Sequence, residues 1–129
     1  MFHNYPYPLT KEASGLHAPE SMACEFEFME IMVWMCKANK YKSILELGTY
    51  DGHTTWGLKE AAKSTDGSVI TVDPIRRMNK EMERTTFVAM KSTDFLKDTG
   101  LTFDFVFIDG DHSTNGCIED FKGSLSHLN

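Results

Sequence analysis

Residues 44–55, ILELGTYDGHTT, run from an apolar stretch into a polar one, with two glycines and two acids at the join. Ile44–Leu47 has the aliphatic make-up of a strand. Residues 53–64, HTTWGLKEAAKS, have that of a helix, and Thr54 or Thr55 offers a hydroxyl to cap its first turn. A strand that turns on Gly48 and Gly52 and re-enters as a helix is half of a βαβ unit. The turn admits two readings. Either its geometry needs glycine, or a ligand sits on it.

The rest of the chain repeats the pattern. Asp66-Gly67 marks a turn, and SVITVDP (68–74) reads as a second strand ended by Pro74. IRRMNKEMER (75–84) is predicted as a short helix and TTFVAMKS (85–92) as a third strand. DFLKDTG (94–100) reads as one helical turn closed by Gly100. FDFVFIDG (103–110) is a fourth strand, and NGCIEDFKGSLSHLN (115–129) a last helix. Strands alternating with helices give a parallel sheet covered on both faces. The near-continuous apolar runs SILEL, SVITV and FVFI suit strands buried on both sides. Upstream, residues 1–20 hold Pro6, Pro8 and Pro19 and read as an extended arm. Ser21 is placed to cap a helix running to about Asn39. In that helix Phe26, Met29, Val33 and Cys36 keep helical spacing, and Phe28, Met32 and Met35 widen the stripe. Trp34 and Trp56 read as packing residues. Residues 21–129 form one domain.

Bulk properties narrow the partners. At 129 residues the chain is one domain's length. Its net charge is −6 and it has no basic run, which argues against nucleic acid. The most apolar window, FMEIMVWMC (28–36), is too short to span a membrane and carries Glu30. Cys24, Cys36 and Cys117 form no CxxC pair and no metal-type spacing, so they read as reduced thiols in a cytoplasmic protein. The N-terminus lacks the basic start and apolar stretch of a signal peptide.

In an open parallel sheet, ligands bind beyond the carboxyl ends of the strands. All four ends here are polar: Glu46 to Gly52, Asp73-Pro74, Ser92-Thr93-Asp94, and Asp109-Gly110-Asp111-His112. A dinucleotide fingerprint, GxGxxG, needs its second glycine for the pyrophosphate. Tyr50 holds that position, and Asp51 repels phosphate. No GK[ST] follows, which excludes a P-loop. Asp73 suits the two hydroxyls of a ribose, and Glu46 and Asp51 suit a cation. S-adenosylmethionine combines a ribose, a sulfonium and an ammonium without phosphate.

These residues carry a family resemblance over about residues 20–125. ILELGTYDGHTT resembles the glycine-rich first motif of class I S-adenosylmethionine-dependent methyltransferases. VITVDP is similar to their second motif. FDFVFIDGDHS, with NGCIEDF after it, resembles a subgroup that includes small-molecule O-methyltransferases, some dependent on a divalent metal. The resemblance implies a Rossmann-like three-layer α/β sandwich with a mainly parallel sheet, shortened to about four strands in the order 3-2-1-4. It implies that Gly48 and Gly52 shape the loop under the methionine moiety, and that Glu46 orients its ammonium through water. Thr49, Tyr50 and Thr54 would line the same pocket. Asp73 would bind the ribose, with Pro74 beside the adenine and Ser92 or Thr93 at its edge. Asp109 would lie near the sulfonium and, in metal-dependent relatives, bind an ion such as Mg²⁺. His112 takes the place of a general base, a role open to histidine because it titrates near neutral pH.

Each role has a plainer rival. The glycines serve a tight turn, Asp73 and Asp109 form turns, and His112 caps or packs against the last helix. His53 reads as a helix-start residue, and His127 as a surface residue. The chain ends where such a methyltransferase continues with further strands, so Asp109 alone makes an incomplete metal site. The fourth strand is then an apolar edge, a hazard unless covered. A second copy pairing edge to edge, the N-terminal arm, or another polypeptide would cover it, and the homodimer is the favoured expectation. The expected function is methyl transfer to an oxygen of a small molecule. The alternatives are a non-catalytic module that holds S-adenosylmethionine and an enzyme that degrades it.

Overall fold

The computed structural model describes residues 26–78 and 80–129. The expected N-terminal arm, the Ser21 cap and Cys24 lie outside them. The elements in chain order are α1 (Phe26–Ala38), β1 (Ser43–Leu47), α2 (His53–Thr65), β2 (Ser68–Val72), β3 (Thr85–Val88), α3 (Ser92–Asp98), β4 (Phe105–Ile108) and α4 (Thr114–Leu125). The four strands form one parallel sheet in the order β3-β2-β1-β4, as expected. β1 lies at the centre, with Ile44 opposite Val69 on one side and Phe105 on the other.

Side chains alternate across a strand, so β1 feeds two cores. Ile44 joins Met29, Val33 and Cys36 of α1 and Leu58, Ala61 and Ala62 of α2. Leu45 and Leu47 join Val72, Phe103, and Phe95 and Leu96 of α3. Burial of this kind stabilises by about 25 cal/mol per Å² of apolar surface. It also pushes the Cys36 thiol up to about 12, which makes Cys36 an inert core residue. Glu46 lies in the same layer as Ile44, with no exposed surface.

Three expectations change. The helix over 75–84 is absent from the described residues of that segment. Asp73 Oδ1 accepts the Ile75 N–H at 2.9 Å and turns the chain at once. Met78 and Met82 lie against Gly52 there, and an isolated helix so short is marginal. Met78 instead plugs the space over Gly52. Second, Trp56 is buried as expected, but Trp34 is 62% exposed, with Phe28 and Ile31 beside it on the outer side of α1. Third, His127 is anchored rather than free. Its two ring nitrogens lie 2.9 and 2.8 Å from the carbonyls of Leu101 and Leu96. Beyond it, Leu128 bridges Phe103 in parallel, two residues before β4 begins. No described helix is long and apolar enough to cross a membrane.

Candidate functional site

The strand ends converge on one cavity of about 480 Å³, a size that holds small molecules. The first turn forms one wall. Gly48 has φ +101°, and a Cβ there would stand 2.3 Å from the Asp109 carbonyl oxygen. Glycine at this position therefore lets the turn after β1 touch the turn after β4. Gly52 has φ +90°, and its open face receives Met78. Between them Tyr50 also takes a left-handed φ of +50°. The strained turn is held from outside: Asp73 Oδ2 accepts the Tyr50 N–H at 3.0 Å. The N-cap of α2 is Gly52, and no threonine caps it, contrary to expectation; Asp51, one residue earlier, accepts the His53 N–H on Oδ1 at 3.1 Å.

The turn's own hydrogen bonds bear on what it can hold. The N–H groups of Gly48, Tyr50, Gly52 and His53 already donate to Val72, Asp73, Thr49 and Asp51. A phosphate cradle needs such groups free. The wall is also rich in carboxylates, with Asp51, Asp73, Asp109 and Asp111 facing Arg77 and Lys91 as its cations. This donor set disfavours a diphosphate and fits a cationic nucleoside.

Beneath the wall lies Glu46. Its Oε2 accepts hydrogen bonds from Thr55 at 2.5 Å and Thr71 at 2.7 Å. Because Thr71 spends its proton on Glu46, the Thr49 hydroxyl donates to Thr71, 2.6 Å away. A hydroxyl chain thus links a buried carboxyl to Thr49 on the cavity wall. Burial pushes the Glu46 carboxyl up to about 8; the fields of Asp109 and Asp73 add to the rise, and the two threonines oppose it. Glu46 is therefore largely neutral at pH 7. Its Oε1 has no hydrogen-bond partner among the described residues.

The other sequence candidates distribute as follows. Gly48, Thr49, Tyr50, Thr54, Asp73, Pro74, Ser92, Thr93 and Asp109 line the cavity. Glu46 and Gly52 sit behind the wall. His112 stands at the edge, about half exposed, with Nε2 3.3 Å from Asp109 Oδ1. Burial raises the Asp109 carboxyl, and His112 draws it back down. Arg77 reinforces the rim, with its guanidinium over the Tyr50 ring at 5.2 Å and 4.0 Å from Asp73. Among the described residues, no three His, Cys, Asp or Glu side chains converge in a metal-binding group. The residues present do not fit a divalent ion.

Two cavity residues escape a reading by motif. Asp120 of α4 is 1% exposed; its Oδ1 accepts the Ser92 hydroxyl at 2.5 Å, while its Oδ2 has no partner among the described residues. Arg77 lies in the irregular segment that the sequence suggested was a helix. A spacing signal existed for Asp120 alone, four residues after Gly116 and four before Ser124, both buried.

Comparison with known proteins agrees with this architecture. A family described as a methyltransferase domain matches residues 45–129, two thirds of the chain. No curated protein matches. Among solved structures, the O-methyltransferase TomG from Streptomyces achromogenes, in complex with SAM, superposes with a TM-score of 0.74 at 19% identity, over 85% of this chain and 54% of that one. An O-methyltransferase from Bacillus cereus, in complex with SAH, gives 0.72 at 21%, over 89% and 57%. A putative caffeoyl-CoA O-methyltransferase from Staphylococcus aureus gives 0.73 at 15%, over 89% and 58%. The chain spans about half the length of these structures. It belongs to the methyltransferase-domain family and has the Rossmann-like fold of class I S-adenosylmethionine-dependent methyltransferases.

Proposed function

We propose that the cavity binds S-adenosylmethionine and that the chain takes part in methyl transfer to an oxygen of a small-molecule acceptor. One observation carries this reading: a carboxylate-rich cavity at the strand ends whose first turn has already committed the N–H groups of Gly48, Tyr50, Gly52 and His53. Such a site suits a cation and a diol, not a phosphate. When bound, S-adenosylmethionine supplies an electrophilic methyl group on a sulfonium.

The chain's residues act by position and electrostatics, which is where most of the rate of such a transfer arises. Asp73 keeps lone pairs for the ribose hydroxyls while it fixes the Tyr50 turn. Pro74 and Ser92–Thr93 bracket the base. Asp109 places negative charge near the sulfonium. His112, with Asp109 beside it, takes the acceptor's hydroxyl proton as the oxygen gains the methyl. Glu46 senses the ammonium through Thr71 and Thr49. The net charge of −6 fits a small-molecule partner, not nucleic acid, and the free thiols of Cys36 and Cys117 fit the cytoplasm. The outer side of α1 and the edge of β4 are covered, in this reading, by a second copy of the chain.

Calorimetry with S-adenosylhomocysteine tests the cofactor reading. Micromolar binding that weakens at least about tenfold in Asp73→Ala supports it, since a lost charge-assisted hydrogen bond costs about 1.5–3 kcal/mol. Absence of binding at millimolar ligand sinks it. Methylation across a panel of catechols and phenols, lost in His112→Ala while S-adenosylhomocysteine still binds, tests the transfer itself.

A further inference from the structure

Glu46 is a carboxyl without a counter-ion. It is fully buried behind the first turn, and no ion pair among the described residues includes it. Each neighbouring element brings a group toward it. Thr71 of β2 and Phe107 of β4 lie opposite it in register. α2 supplies Thr55, with His53 and Lys59 buried on the same helix, and Lys59 is paired with Glu60. The core face of α1 adds one titratable group, the Cys36 thiol. Beyond the strand ends stand Asp73 and Asp109, whose negative fields reach Glu46. Two hydroxyls donate to its Oε2, and its Oε1 has no partner among the described residues. A buried carboxylate so placed is costly, so the group keeps its proton until a positive charge arrives nearby.

The cavity is where that charge arrives. Asp73 and Asp109 both line it, so a charge held between them is felt at Glu46 as theirs are. A cation there acts in the opposite sense to the two aspartates and favours the ionised carboxyl. The hydroxyl chain suits that form, because Thr71 donates to Glu46 and Thr49 to Thr71. We propose that Glu46 is a specificity-determining residue that acts through charge, without touching the ligand: a sulfonium in the cavity displaces its proton to solvent, and the neutral thioether product does so less. This rests on the cofactor reading above. The proton leaves the carboxyl for bulk water as the methyl donor binds. It returns from bulk water once the methyl, and with it the sulfonium charge, has gone. Below the folded value of about 8 the donor must displace this proton, and above it the negative charge is already in place. The preference for donor over product therefore grows as pH rises.

Calorimetry of the whole chain in two buffers of different ionisation enthalpy counts the protons. At pH 7, S-adenosylmethionine is expected to release roughly half a proton per molecule bound, as a shift of about one unit in a neighbouring carboxyl implies, and S-adenosylhomocysteine less. Between pH 6 and pH 8.5 the ratio of donor to product affinity is expected to rise about fivefold. Glu46→Gln, neutral throughout, loses both effects, and His112→Ala keeps them. Thr71→Val removes a donor to the ionised form and moves the rise to higher pH, a test that holds if Glu46→Gln does not fold. A wild type that binds both ligands with a ratio constant within twofold overturns the inference and leaves the cofactor reading standing. So does a folded Glu46→Gln chain that releases as much as wild type, a His112→Ala chain that releases none, or a rise that stays in place in Thr71→Val. Binding of neither ligand overturns the cofactor reading, and the inference with it.

Discussion

Glu46 shows how one residue can be placed by sequence and still be misjudged in charge. Its position at the end of a strand, before a glycine turn, reads as an acid awaiting a cation. In the fold it is buried, hydrogen-bonded to two threonines, and neutral for most molecules at pH 7. Its folded pKa lies above its ordinary value, so its contribution to stability is fully present below about pH 4.5 and is lost as pH rises through about 8. Wild type is expected to lose stability over that window relative to Glu46→Gln, by roughly a few kcal/mol. Chemical denaturation of both proteins at pH 5 and pH 8.5 measures this. Equal pH dependence of the two would remove Glu46 as the source. Gly48 is the opposite case, legible from sequence but for an incomplete reason. The turn needs its left-handed φ, yet the closer constraint is the Asp109 carbonyl where a Cβ would stand. Gly48→Ala is expected to cost roughly 2–4 kcal/mol, or to separate the two loops and abolish ligand binding. A variant that melts within 2 °C of wild type and binds normally would contradict this.

At the scale of elements, the strands were legible because their apolar runs are short and bounded by turns, and β1 to β4 all form where those runs lie. The helix expected over 75–84 was not, because the side-chain bond from Asp73 redirects the chain at Ile75, and no local pattern announces that. The helix α4 was found but its facing was hidden. Gly116, Asp120 and Ser124 turn inward, while Ile118, Phe121 and Leu125 stay 44–57% exposed. Hydrophobic periodicity points at the wrong face when the inner stripe is small or polar, as it is where it lines a cavity. This is why Asp120 escaped notice. The irregular segment after β2 carries a prediction of its own. Met78 is buried against the open face of Gly52, so Met78→Ala leaves a void beneath the binding turn. Met29, equally buried, packs under α2 away from the cavity. Each truncation is expected to cost roughly 2–4 kcal/mol. Only Met78→Ala should also weaken S-adenosylhomocysteine, by several-fold in calorimetry. Equal affinities in the two variants would show that the segment does not support the turn.

For the whole molecule, the order β3-β2-β1-β4 brings β1 and β4 together at the centre of the site, and the acids that close their ends meet there. That convergence followed from the sequence, because parallel strands with short connections put all their carboxyl ends on one side. The outer limits of the molecule did not. Phe28, Ile31 and Trp34 on α1 leave apolar surface on one side of the sheet, and Phe121 and Leu125 on α4 leave it on the other. Large apolar side chains grouped on one exposed helix face, as Phe28, Ile31 and Trp34 are, commonly mark an interaction surface. The chain is therefore expected to self-associate, and Ile31→Lys with Trp34→Lys to shift it toward monomer in light scattering while ligand affinity holds. A wild type that is monomeric at 100 μM would count against the paired edge, on the scale where weak association of about 5.5 kcal/mol shows. The central claim is that the cavity at the strand ends is an S-adenosylmethionine site. A crystal structure with S-adenosylhomocysteine tests it most directly. The account predicts the ribose hydroxyls within hydrogen-bond reach of Asp73 and the base beside Ser92. Ligand bound elsewhere, or with its ribose away from Asp73, would contradict it.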